Sequence, residues 1–245
     1  MDEQHDLPIT PVGVPPLPIE RAAAAEALGS FAVVLVGAGS VVVAGSVGSG
    51  LVGVALATGF AFGAAVTATM PLSGGGVNPV LTAGFWVAGR LSNERAAFYL
   101  LAQLLGGILA GLVLRLTIPG PIWRPADLGA PLLPQGVGAG SAIVLEGVLT
   151  FLLTVIAFAT LLDEHARAPS FGGVVLGLFL AAATLIAWPV TGAALNPVRA
   201  LGPELAGGEW SDWWVYLIGP AAGGVVGAVT YWSVFLRERP TAPEE

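Results

Sequence analysis

Long apolar stretches alternate along the chain with short breaks that are polar or rich in Gly and Pro. The apolar stretches fall at about 22–46, 51–70, 96–118, 139–162, 171–188 and 213–236. Each is close to the roughly 20 residues a helix needs to cross about 30 Å of hydrocarbon. The breaks are Gly48-Ser49-Gly50, Ser92-Asn93-Glu94-Arg95, the Pro-rich 118–138, Asp163 to Pro169, and Gly207 to Asp212. Two further apolar pieces, about 78–88 and 196–206, are too short to span and read as re-entrant or interfacial segments. The pattern predicts an all-α membrane protein with six transmembrane helices and two short re-entrant pieces.

Composition narrows the class further. The chain is 55% hydrophobic and only 10% charged, with a mean hydropathy of +0.83. Ordinary soluble domains are about 25% charged, so a water-soluble globule is excluded, and the chain is too apolar for disorder. Its 35 glycines follow no triplet period and suit closely packed membrane helices.

The formal charge of −7 sits mostly in the tails. Asp2, Glu3, Asp6 and Glu20 are unopposed, and residues 237–245 hold two Arg against three Glu. In residues 21–236, nine acids against seven arginines leave −2. Residues 1–20 therefore read as an acidic, Pro-rich cytoplasmic tail, without the basic start of a signal peptide. Residues 21–236 read as one membrane domain and 237–245 as a cytoplasmic C-terminal tail. No basic stripe offers a footprint for nucleic acid. The absence of cysteine removes disulfides, Cys metal sites and thiol chemistry. His5 and His165 have no neighbours at ligand spacing, so no metal or cofactor is implied. No nucleophile–base pair or phosphate-binding glycine loop supports an enzyme.

With no lysine, nine arginines carry the orientation signal. Arg21, Arg90, Arg95, Arg167, Arg237 and Arg239 fall on one side if six spans alternate. Arg115 and Arg124 fall on the other, and Arg199 lies in a short piece. The positive-inside rule then places both termini in the cytoplasm. Lysine-free composition suggests a high-GC genome and a bacterial plasma (inner) membrane.

An internal repeat is the strongest signal. Residues 71–80, Pro-Leu-Ser-Gly-Gly-Gly-Val-Asn-Pro-Val, match residues 189–198, Pro-Val-Thr-Gly-Ala-Ala-Leu-Asn-Pro-Val, at an offset of 118. Glu26 with Ser30-Phe31 matches Glu146 with Thr150-Phe151 at 120. Tyr99, Gly106 and Ala110 match Tyr216, Gly223 and Gly227 at 117. The halves, about 21–118 and 139–236, each hold three spans. An odd number makes the second half enter from the opposite face, giving an inverted repeat of the kind used in transport.

Asn-Pro in a short apolar piece has a direct reading. Asn is a favoured N-cap, and Pro at the first helical turn lacks a donor that would be unsatisfied anyway. Asn78-Pro79-Val80 and Asn196-Pro197-Val198 thus each open a half-helix. Taken singly, either could merely cap an ordinary turn; two at matching repeat positions favour half-helices. Entering from opposite faces, their N-termini would meet near the midplane. Each end carries roughly half a positive charge, which repels cations and protons while the Asn amides donate to a neutral solute.

These residues resemble the aquaporin family (major intrinsic proteins) over about residues 20–236. The resemblance is carried by Ala24-Ala25-Glu26 with Gly29-Ser30-Phe31, Ser73-Gly74 to Asn78-Pro79-Val80, Phe85-Trp86 to Gly89-Arg90, and Ala102-Gln103-Leu104-Leu105-Gly106. Further support comes from Glu146 with Thr150-Phe151, Asn196-Pro197-Val198-Arg199 with Gly202-Pro203, and Gly219-Pro220. It implies six spans plus two half-helices, a pore in each protomer, and a homotetramer in membrane lipid. The family's Asn-Pro-Ala triplet is Asn-Pro-Val in both copies; its third position faces packing more than the pore.

Counting from the Asn residues, the resemblance places the outer filter at Thr58, Thr184, Ala193 and Arg199. Water channels of the family often carry Phe and His where Thr58 and Thr184 stand, and some carry a mercurial-sensitive Cys at the place of Ala193. Two Thr widen and polarise the constriction, while Arg199 supplies fixed charge and several donors and opposes cations. Each Thr has a plainer reading as a helix-packing residue. The residue after Arg199 is Ala200, not the Asp of glycerol facilitators. The pattern is similar to nodulin-like and bacterial members that pass small uncharged hydroxylated solutes. Expected permeants are water and solutes such as glycerol, urea or metalloid hydroxides; a strict water channel is the alternative.

Glu26 and Glu146 are costly inside a bilayer, on the order of 3 kcal/mol or more each. The resemblance implies that each accepts hydrogen bonds from the backbone of its half's re-entrant loop. The rival reading is a proton relay in a gradient-coupled transporter.

Overall fold

A computed structural model describes residues 16–163, 165 and 171–237. The expected tails up to residue 15 and from residue 238, with His5, Arg167 and Arg239, lie outside the described residues. Every helix and strand assignment among the described residues is helical. In chain order the helices are α1 (Ile19–Val47), α2 (Gly50–Ser73), α3 (Pro79–Val87), α4 (Asn93–Thr117), α5 (Gly120–Trp123), α6 (Ala139–Ala157), α7 (Gly172–Thr191), α8 (Pro197–Gly207) and α9 (Val215–Tyr231). A 3₁₀ segment, Arg124–Gly129, follows α5. One π-turn carries α6 on to Leu162 and another carries α9 to Leu236. With those extensions α1, α2, α4, α6, α7 and α9 are long and apolar enough to cross a membrane. Helices α3 and α8, of 9 and 11 residues, are the two short pieces.

Two spans outrun the apolar pattern. Helices α2 and α7 continue past Pro71 and Pro189 to Ser73 and Thr191, instead of stopping near residues 70 and 188. A proline late in a helix removes one donor but leaves the following turn intact. Left-handed glycines then close both helices: the Gly74 N–H donates to the Met70 carbonyl and the Gly192 N–H to the Trp188 carbonyl. The Pro-rich 118–138 segment, expected as loop, contains α5 and the 3₁₀ segment, with Leu128 and Gly129 buried.

The halves interlock. Within the first, α1 packs on α2 and α4; within the second, α6 packs on α9 and α7. The α2–α7 crossing joins them. Each half-helix also reaches across, α3 packing mostly on α9 and α8 mostly on α4. Arg95 Nη2 donates to the Leu17 carbonyl, tying the starts of α4 and α1. Tyr231 Oη donates to Asp163, tying the ends of α9 and α6 in the other half.

Lipid tails are as apolar as the helix surfaces, so close backbone approach has to supply much of the association. Glycines provide it at repeat-related places. A Cβ on Gly106 would lie 2.1 Å from the Ala27 carbonyl oxygen, and one on Gly223 would lie 1.9 Å from the Gly147 carbonyl oxygen. At the α2–α7 crossing, a Cβ on Gly59 would meet the Gly177 oxygen at 2.4 Å. These neighbours are main chain and cannot swing aside. Gly223→Val should therefore cost at least about 1–3 kcal/mol and lower the thermal midpoint followed by tryptophan fluorescence in detergent. Gly140→Ala, where a Cβ meets nothing within 4 Å, should leave that midpoint in place.

The site where the half-helices meet

The N-termini of α3 and α8 meet. Asn78 Nδ2 donates to the Leu195 carbonyl at 3.0 Å, and Asn196 Nδ2 donates to the Val77 carbonyl at 3.3 Å. The same side chains cap their own helices. Asn78 Oδ1 accepts from the Val80 N–H at 3.0 Å, and Asn196 Oδ1 accepts from Val198 at 2.9 Å and Arg199 at 3.4 Å. Pro79 and Pro197 occupy the first helical positions. An amide nitrogen has two protons, so each Asn keeps one donor beyond the bond it gives to the opposite loop.

Both loops are held by a buried carboxylate. Glu26 Oε1 accepts from Ser73 Oγ at 2.5 Å and from the Gly76 N–H at 3.1 Å. Its Oε2 accepts from the Val77 N–H and from Gln103 Nε2, each at 2.6 Å. Glu146 accepts from Thr191 Oγ1 at 2.6 Å, the Ala194 N–H at 3.0 Å and the Leu195 N–H at 2.8 Å. Both acids are fully buried. The hydrogen bonds hold Val77, Ala193 and Leu195 at φ of 39°, 51° and 49°, a region costly for residues with a Cβ. The geometry turns the loop N–H groups toward the acid and leaves the Val77 and Leu195 carbonyls for the opposite Asn.

Val80 and Val198 each seat against a glycine. A Cβ on Gly224 would come within 1.8 Å of Val80 Cγ1, and one on Gly107 within 2.1 Å of Val198 Cγ1. The larger third residue of each Asn-Pro-Val is thus absorbed by a neighbouring span.

Beside the Asn pair lies a cavity of about 10 Å³ lined by Val33, Thr58, Phe62, Asn78, Leu153, Leu180, Ala194, Leu195, Asn196 and Arg199. That is about the room of one water. Of the four residues expected at the filter, Thr58 and Arg199 line this cavity. Thr184 is buried with its hydroxyl donating to the Leu180 carbonyl at 2.8 Å, and Ala193 is buried in the second loop. Arg199 Nη1 donates to the Gly129 carbonyl at 2.8 Å. Gly37 makes room for the guanidinium, since a Cβ there would lie 3.3 Å from Nε. Gly129 has φ +79° and lies so close to α1 that a Cβ would be 2.3 Å from the Ala38 carbonyl.

Several members of this constellation escaped the reading from sequence. Ser73 and Thr191 are repeat partners one residue before the loops, and the repeat itself could have flagged them. Gln103 carried the family resemblance but no assigned role; here it also donates to Thr82 Oγ1 at 2.7 Å. The Gly129 carbonyl comes from the 118–138 segment, and no local pattern announces it. The apolar wall of Val33, Phe62, Leu153 and Leu180 is hidden among many residues of the same kind.

The segment that delivers Gly129 carries a titratable group two residues earlier. Burial, and secondly the Glu209 carboxylate, raise the Asp127 acid above its ordinary 3.8. The folded state therefore holds the Asp127 proton more tightly than the unfolded chain. Stability from this group is full below the ordinary value and is lost as pH rises through the raised one. Asp127→Asn should raise the thermal midpoint at about pH 7 and change it little below about pH 4. A midpoint shift of the same size at both pH values would refute the electrostatic account.

Comparison with known proteins places this geometry in a family. The profile of the major intrinsic protein family matches residues 16–231. The chain is 37% identical over 227 residues to aquaporin TIP4-4 of Zea mays, covering 89% of this chain and 88% of that one. It is 38% identical over 193 residues to the "Probable aquaporin TIP4-1" of Oryza sativa subsp. japonica, covering 79% and 75%. The X-ray structure of the aquaglyceroporin from Plasmodium falciparum superposes with a TM-score of 0.77 at 22% identity, covering 90% of this chain and 98% of that one, which speaks for the shared fold. The six spans, the two inward-pointing half-helices and these matches together make the chain a member of the major intrinsic protein, or aquaporin, family.

Proposed function

We propose that residues 21–236 form a passive channel for water and small uncharged solutes, such as glycerol, urea or metalloid hydroxides, that excludes ions and protons. One observation carries this reading: both half-helix N-termini open on the same small cavity as Arg199, with Asn78 and Asn196 on its wall. Aimed dipole ends and a guanidinium oppose cations. The spare Asn donors and the Arg199 donors offer hydrogen bonds to a neutral permeant, and the apolar wall offers no competing site. Relatives named as aquaporins support the same reading.

The filter of Thr58, Thr184, Ala193 and Arg199 is the proposed outer constriction. Its two short hydroxylated side chains are the reason for including solutes larger than water. A strict water channel is the second reading, favoured by a cavity with room for about one water at the Asn pair. Gradient-coupled transport through Glu26 and Glu146 has less support, because neither acid lines the cavity and both are spent as acceptors for their loops. The channel would sit as a homotetramer in the plasma membrane with both termini cytoplasmic. The tetramer rests on family resemblance and the orientation on the arginine asymmetry.

Stopped-flow light scattering on proteoliposomes tests the solute range. Wild-type protein should pass water together with glycerol or urea, without proton leak. Thr58→Phe combined with Thr184→His should cut glycerol and urea flux by about tenfold or more, equivalent to roughly 1.4 kcal/mol on the barrier. Water flux with no solute flux in wild type selects the strict water channel. Unchanged solute flux in the double variant would mean the filter lies elsewhere.

A further inference from the structure

Glu204 lies near the end of α8 and is 1% exposed, yet neither carboxylate oxygen has a hydrogen-bond partner among the described residues. A carboxylate taken out of water is expensive unless opposite charge or donors compensate it. Among the other enclosed polar atoms that share its condition are Arg199 Nε on the same half-helix and the Tyr216 hydroxyl on α9. The three groups lie within electrostatic reach of one another. Helical spacing accounts for the Glu204 and Tyr216 side of this cluster. Ala200 and Glu204 are one turn apart on one face of α8, and Ala200 packs with Val215 and Tyr216. Arg199 is five residues before Glu204, about 7.5 Å along the axis and roughly 140° around it. The two side chains therefore leave α8 on different faces and act on each other through space, not by contact.

The inverted repeat isolates the pair. At the 118-residue offset, Arg199 and Glu204 correspond to Leu81 and Trp86 of α3. Leu81 is buried, whereas Trp86 is exposed and donates from Nε1 to Asn93. One half-helix therefore carries both charges and the other carries neither. Other charged groups near the pair have partners of their own, although Glu146 also acts electrostatically on Arg199. Glu146 is committed to its loop, Arg115 donates to the Ala206 carbonyl, and Glu209 accepts from the Ser211 N–H.

We infer that Glu204 is the buried counter-charge of Arg199, a specificity-determining residue that acts through the arginine by cancelling its attraction for anions. The inference rests on the channel reading above. A lone guanidinium in a narrow, weakly polar lumen concentrates small anions. A carboxylate behind it lowers that field while leaving the guanidinium donors free for neutral solutes. Glu204 is thus a positioning group for charge, and the permeant does not touch it.

The test compares nitrate and water permeability in the same proteoliposomes. In Glu204→Gln the ratio of nitrate to water permeability should rise on the order of tenfold, the scale of one removed charge–charge interaction between partly buried groups. Glu204→Asp, which keeps the charge, should stay close to wild type, and adding Arg199→Met to Glu204→Gln should abolish the rise. An unchanged ratio in Glu204→Gln, or an equal rise in Glu204→Asp, overturns the inference. Thermal midpoints in detergent judge the pair without any flux. Arg199→Met strands the carboxylate, so Arg199→Met/Glu204→Gln should melt higher than Arg199→Met alone; a double variant melting no higher overturns the pairing. A wild-type protein that passes no water would refute the channel reading while leaving this comparison of midpoints intact.

Discussion

Irregular backbone at bilayer depth survives only where the protein or a water-filled cavity satisfies its polar groups. Here that requirement falls on two carboxylates. Glu26 and Glu146 collect the amides of Gly76, Val77, Ala194 and Leu195, which no helix could pair. Much else follows from those bonds. They hold non-glycine residues in left-handed backbone, and that turn directs the Val77 and Leu195 carbonyls to the opposite Asn. The Asn side chains, fixed at both ends, then face the cavity with one donor each to spare. Both acids serve as main-chain acceptors in the fold.

Packing turns this local arrangement into a rigid one. Each half-helix lies mainly against the other half of the molecule, so the two halves cannot separate without pulling the loops apart. Glycines on the spans accept the bulk that the loops bring: Gly224 for Val80, Gly107 for Val198 and Gly37 for the Arg199 guanidinium. The repeat is a scaffold symmetry only. Gln103 in the first brace is matched by Pro220 in the second, and the charged pair Arg199 and Glu204 by Leu81 and Trp86. Of the two half-helices, only the one in the second half carries charged side chains.

Hydropathy and the repeat made most of the fold legible. The short pieces at 78–88 and 196–206 are α3 and α8 with their Asn caps, because Asn-Pro leaves few other ways to start a helix. Span ends were less legible at Pro71 and Pro189, where glycine caps, not the prolines, stop the helices. Partners brought in over long sequence distances were the hardest to see. Nothing near residue 129 marks its carbonyl as the acceptor for Arg199, and nothing near residue 103 marks its amide as the fourth donor to Glu26. Nothing in the local sequence separates Glu204 from any other acid near a helix end; its burial does. The hydroxyl of Thr184 satisfies its own helix, an arrangement that spacing alone does not distinguish from a pore-facing one.

The osmotic water permeability of Glu26→Gln/Glu146→Gln in proteoliposomes, at matched protein incorporation, tests the bracing most directly. A carboxamide keeps the shape of each side chain but turns an NH₂ group toward loop donors, so the loops lose acceptors and their grip on the Asn pair. The account predicts that permeability falls by about tenfold or more. Wild-type permeability in that variant would contradict it.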